Sequence, residues 1–137
     1  MNRMTFDEFL RRKDQRDADR VKVGELAVPG GMTLEARMPG RQAVLELYGE
    51  MQAADTPLDM LEAGKHALYA VCPQLQSKEL QNALGAAEDP MSVLDALFSV
   101  REQDILGGQA FRFLGLLPET VSPEAATPDA GAETVKN

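Results

Sequence analysis

Apolar positions along the chain follow three different rhythms. Near the N-terminus they stop early. Phe6, Phe9 and Leu10 form one patch at helical spacing, and RRKDQRDADR (11–20) then follows with eight charged residues in ten. Thr5 with Glu8 three residues on predicts a capping box, and Asp7 and Glu8 suit the positive end of a helix. Such a helix has no apolar face beyond its first turns. Oppositely charged neighbours, Arg12 and Arg16 against Asp14 and Asp17, would support it. Two readings stand: a solvated, partly mobile arm, or an arm that docks on a partner through Phe6, Phe9 and Leu10.

The period then drops to two. Val21 and Val23 alternate, as do Leu26 and Val28, with Gly24 marking a change of step that predicts a bulge. Pro29-Gly30-Gly31 is a turn signal, and Met32, Leu34, Ala36 and Met38 alternate with polar residues beyond it. This predicts a β-hairpin over about 21–38 with one buried face. The glycines lack the spacing and the following Lys of a phosphate loop.

After Pro39-Gly40 the period becomes helical. RQAVLELYGEMQAA places Val44, Leu45, Leu47, Tyr48 and Met51 on one broad face. A second helix starts at Thr56-Pro57, a favourable N-cap followed by a first-turn proline, and carries Leu58, Leu61, Ala67, Leu68 and Val71 or Cys72. It ends before Pro73. Ser77 opens a shorter helix with Leu80 and Leu84 on one side and Gly85 as its terminator. EDPMSVLDALFSV predicts a further helix with Val93, Leu94, Leu97 and Phe98 inward, and a turn at Ser99–Glu102 separates it from the last one. That last helix carries Ile105, Leu106, Ala110, Phe111, Phe113, Leu114 and Leu117, with Gly107-Gly108 as a break or a point of close packing. From Pro118 the chain has three prolines five residues apart and no aromatic residue, a composition that cannot bury a core and predicts disorder.

The expected organisation is an N-terminal charged helical arm (1–20), a globular domain (21–117) and a disordered Pro/Glu/Ala-rich tail (118–137). The fold class is α+β, with a polar helix and a short hairpin packed on a bundle of four to five helices.

Composition narrows the functional classes. At 137 residues the chain is long enough for a core without staples. Aromatic residues are only 5% and Trp is absent, so the core rests on Leu, Val, Ala and seven Met. Met fills irregular gaps and also suits surfaces that repack against partners. The net charge of −8 disfavours a nucleic-acid binder, which needs a basic surface. It divides into +1 over residues 1–20 and −9 over the remainder. One Cys rules out an internal disulfide and fits a reducing compartment. No signal-peptide stretch and no run long enough for a membrane span is visible, so a soluble cytoplasmic protein is expected.

The only His, His66, and the only Cys, Cys72, raise the question of chemistry. Six residues apart on one helix, they point to different faces and cannot make the contact that Cys–His catalysis requires. A zinc site needs three or four ligands, and no HExxH pattern supplies them. Cys72 reads as a small buried hydrophobe. The carboxylate pairs Glu46/Glu50, Asp59/Glu62 and Glu88/Asp89 read as solvated faces or complements to helix N-termini. No catalytic, cofactor-binding or metal-binding residue is assigned, and no enzyme is expected.

Four stretches, in order, carry a resemblance: FDEFLRRKDQ leading into VKVGELAV; LEARMPGRQAVLEL; LYAVCPQLQSKELQNALG; and DPMSVLDALFSVREQDILGGQAFRFLGL. Together they span about residues 5–117. In these the chain resembles the tail assembly chaperones of long-tailed bacteriophages, in particular the XkdN-like group. The resemblance implies a non-enzymatic protein without cofactor. Such a protein binds the tape-measure protein, keeps it soluble in the host cytoplasm while the tail tube assembles, and is not expected in the mature virion. A frameshifted longer form of the chain itself and the tail-tube protein are further implied partners; nucleic acid and membrane are not. The alternative is a structural or adaptor tail protein, tail-completion or tube-associated, that stays in the virion. Candidate partner-binding residues are Tyr48, Met51, Tyr69, Phe111, Phe113 and Leu117.

Overall fold

The computed structural model describes residues 2–118; the tail expected beyond them lies outside the described residues. Helix α1 (Phe6–Arg20) begins with the expected capping box. The Glu8 N–H donates to Thr5 Oγ1 at 3.2 Å, and the Thr5 N–H donates to Glu8 Oε1 at 2.7 Å. Its charged run is helical throughout, but the ion pairs differ from those expected. They are Lys13–Asp17, Arg16–Asp19 and Arg20–Asp17. Pairs of this exposed kind stabilise a helix by about 0.2–0.5 kcal/mol each. No residue of α1 is buried.

Strands β1 (Val23–Val28) and β2 (Met32–Arg37) form an antiparallel hairpin. Pro29 and Gly30 occupy the central turn positions, and the Gly31 N–H donates back to Val28 O. Gly30 and Gly31 both take positive φ, which L side chains rarely adopt. The register is one-to-one from Val23↔Arg37 to Val28↔Met32, so the bulge expected at Gly24 is absent. Gly24 has a packing reason instead: a Cβ there would stand 3.2 Å from the Phe113 ring. Leu26 and Ala36 are buried on the inner face, whereas Val21, Val23 and Met32 are exposed.

Five helices complete the body: α2 (Arg41–Ala53), α3 (Pro57–Val71), α4 (Lys78–Ala83), α5 (Ser92–Leu97) and α6 (Val100–Phe113), with a 3-10 turn at Pro73–Gln76. This is the expected α+β arrangement, a hairpin against a helical bundle. Thr56 and Ser77 cap α3 and α4 through their hydroxyls. Gly85, at φ +70°, ends the α4 turn. The expected turn at Ser99–Glu102 is instead the start of α6, because Ser99 and Glu102 form a second capping box.

The long α3 and α6 pack against each other, and the hairpin lies across α6. Ala63, Ala67, Leu68 and Val71 from α3 meet Leu106, Ala110 and Phe111 from α6 in the core. Helix α2 buries Leu47 and Met51 and packs the half-buried Val44 against the core; Leu45 and Tyr48, expected on the same inner face, are exposed. Beyond α6 the chain reverses at Gly115, φ +80°, with the Leu116 N–H donating to Phe111 O. That reversal brings Leu117 back beside α6 and α3.

Candidate partner-binding surface

The structure places His66 and Cys72 in different surroundings. Cys72 is fully buried at the C-terminal cap of α3, and burial pushes its thiol up to about 12. A thiol so far from ionisation is a poor nucleophile and a poor metal ligand. His66 is exposed and pairs through Nδ1 with Glu50 Oε2 at 2.5 Å, joining α3 to α2. Among the described residues, no three His, Cys, Asp or Glu side chains are grouped so as to hold a metal ion. Of the carboxylate pairs, Glu46 accepts from Gln42 and Asp59 accepts from the Asp55 N–H.

The six candidate partner-binding residues do not share a surface. Phe111 is 2% exposed, and Phe113 and Met51 are also buried, so these three are core rather than contact residues. Gly24 and Lys22 explain Phe113: the strand passes tight against its ring, and the Lys22 ammonium lies 4.6 Å from the ring centroid while donating to Phe113 O at 3.0 Å. Tyr69 is half-buried, its hydroxyl accepting from buried Gln81. Tyr48 is exposed on α2. Leu117 lines a cleft of about 370 Å³ with Met60, Leu61 and Ile105.

The accessible apolar surface lies elsewhere. The first is the arm, where Phe6 is 74% exposed and Phe9, Leu10 and Met4 are exposed beside it. The second is an open groove of about 700 Å³ where the N-terminal ends of α3 and α6 meet, lined by Pro57, Leu58, Leu61, Val100, Arg101 and Asp104. Leu58 and Val100 are each 67% exposed. The groove and the Leu117 cleft share Leu61 and Asp104, so one apolar trough follows the α3–α6 seam. Helical spacing puts Leu58 on the inner face and Ser99–Glu102 reads as a turn; the capping-box signal of Ser99 with Glu102 is what marks Val100 as a first-turn helical residue.

Among the described residues no helix is long and apolar enough to cross a membrane. Compared with known proteins, the chain matches no described protein family, no curated protein and no solved structure.

Proposed function

We propose that this chain is a phage tail assembly chaperone that binds the tape-measure protein and holds it soluble in the host cytoplasm until the tail tube forms around it. The observation that carries the reading is the α3–α6 trough, with Leu58, Leu61 and Val100 at its open end. A trough between two helices accepts the apolar stripe of an amphipathic helix, and a tape measure is a long helical protein with such stripes. The acidic charge of residues 21–137 keeps a complex with an apolar client in solution.

Co-expression with the tape-measure protein of the same phage tests this, scoring its solubility and co-purification. A soluble complex that is lost with Leu58→Asp supports the chaperone reading. An insoluble tape measure, with this chain alone in the soluble fraction, rejects it in favour of a structural adaptor, which would then be found in purified virions.

A further inference from the structure

The chain leaves its body at the α3–α6 trough, and we propose that its next residues, 119–124, dock back along that trough as a strap that a client must displace. The docking does not depend on what the client is; its regulatory meaning rests on the chaperone reading.

The trough carries two arginines without an anionic partner. Arg112 lines one end and Arg101 the other, on one stripe of α6 and about 16.5 Å apart along its axis. Neither is in an ion pair among the described residues. The Arg112 side chain reaches back over Gly108, where a Cβ would stand 3.5 Å from its guanidinium. Gly108 touches no backbone of α3, unlike Gly107, so it leaves the cleft open beneath that guanidinium.

The segment that follows holds the matching anions. Pro118-Glu119 and Pro123-Glu124 repeat with no charged residue between the two carboxylates. Laid out in the extended form that proline favours, at about 3.1 Å per residue, Glu119 and Glu124 fall about 15.5 Å apart, which matches the two arginines. Between them Thr120 and Ser122 bring hydroxyls rather than carboxylates past Asp104, and Val121 brings an apolar side chain to Leu61 and Ile105.

This segment is the occupant because the chain delivers it there. The reversal at Gly115 sets Leu117 in the cleft beside Arg112. Glu119 follows within about 7 Å of Leu117, and Glu124 is reached within about 22 Å, enough to pass from Arg112 to Arg101. So short a tether holds the carboxylates at an effective concentration of about millimolar or above. Exposed ion pairs are weak one at a time, so the strap yields to a client helix that buries Leu58, Leu61 and Val100.

Paramagnetic relaxation in the full chain tests the strap with no client present. A nitroxide is placed on Ser122→Cys; Cys72 is too buried to take the label. The amide signals of Asp104, Ile105 and Gly108 are expected to broaden, and those of Gly30 and Gly31 in the hairpin turn to stay sharp. The broadening is lost in Glu119→Lys/Glu124→Lys and in Arg101→Glu/Arg112→Glu, and returns when the four changes are combined. In a mixture of spin-labelled chain with isotope-labelled chain that carries no nitroxide, the signals stay sharp, because the contact lies within one chain. No selective broadening overturns the proposal. So does broadening indifferent to the charge reversals, or broadening passed to the other copy in the mixture. The Glu119→Gln/Glu124→Gln chain is expected to capture the tape-measure protein about threefold more tightly or better, since its trough is open more of the time. Capture equal to the parent's overturns the regulatory role. No capture by either chain rejects the chaperone reading and leaves the strap to be judged by the broadening alone.

Discussion

Gly64 and Gly107 meet backbone to backbone where α3 crosses α6. A Cβ added to Gly107 would stand 2.9 Å from Gly64 Cα and 3.0 Å from its carbonyl carbon. The two glycines set how closely the helices approach, and thus how Phe111 and Leu68 fill the core on either side of the crossing. Gly107→Ala forces the helices apart and costs about 1–3 kcal/mol, since the obstacle is backbone that cannot rotate away. Gly64→Ala costs less, its Cβ meeting Gly107 Cα at 3.2 Å. Gly49→Ala on exposed α2, with open space around it, stabilises by up to about 1 kcal/mol. Urea unfolding of the three variants reads the order directly, and a Gly107→Ala variant as stable as the parent would remove the crossing as a constraint.

Each outer edge of the two-stranded sheet is met at one residue by a glutamine side chain. Gln109 from α6 accepts from the Ala27 N–H at 2.7 Å and donates to Ala27 O at 2.8 Å, in the manner of a neighbouring strand. On the other edge Gln74 accepts from the Glu35 N–H at 2.9 Å. Exposed strand edges invite pairing with other chains, and these amides occupy the groups that would pair. Gln109→Ala is expected to cost about 1 kcal/mol, because water replaces the lost partners only in part. Amide hydrogen exchange at Ala27 should quicken in that variant while Glu35 keeps its protection; Gln74→Ala should do the reverse. Equal protection of both amides in both variants would contradict this edge role.

Local chemistry made much of this fold legible. Thr5 with Glu8, Thr56 with Pro57, Ser77 and Gly85 each satisfy a helix end by themselves, so they announce it without knowledge of the tertiary structure. The inner faces were less legible, because periodicity shows that a helix has an apolar side without showing how much of it a neighbour covers. Helix α2 packs chiefly on α3, which leaves Leu45 and Tyr48 in solvent. Of the candidate partner-binding residues, Phe111 and Phe113 lie in the core for a related reason. In a chain with few aromatic residues, Phe111 is needed where α6 meets α3 and Phe113 where α6 meets the hairpin, and a large side chain fills a junction as readily as it anchors a partner. The exposed anchors Leu58 and Val100 sit in the first turns of their helices, where the helix has fewest neighbours to cover it; Val100 is moreover followed by the polar run Arg101–Asp104, where the periodic signal is weakest.

Cys72 is expected to resist thiol reagents in the folded chain and to react at once on unfolding. Its folded pKa lies above the unfolded value of 9.0, so the neutral thiol contributes stability that is full below about pH 9 and is lost as pH rises towards 12. Cys72→Ser buries a hydroxyl in the same apolar site and should destabilise by about 1–3 kcal/mol. Neither this change nor His66→Gln on the exposed side of α3 should alter partner binding once melting is accounted for. Rapid labelling of the native chain would show that the α3 C-terminus opens far more often than its burial implies.

Gln103 holds the end of α5 to the start of α6. Its buried amide donates to Leu94 O at 3.2 Å, Phe98 O at 2.9 Å and Asp95 Oδ1 at 3.0 Å. Gln103→Leu leaves those two carbonyls without this partner and should cost about 1–3 kcal/mol. The same amide, with the Lys65 ammonium at 3.3 Å, holds the Asp95 carboxyl below its ordinary range. A depressed folded pKa gives stability that is present above the unfolded value, about 3.9, and is lost as pH falls through the folded one. Asp95→Asn keeps the oxygen that accepts from Gln103 but removes the charge. Unfolding curves of parent and variant should therefore differ near neutrality, with the parent more stable, and converge in acid. A gap that persists unchanged below about pH 2 would mean that the carboxylate's charge does not stabilise the α5–α6 junction, and that the amide contact acts alone.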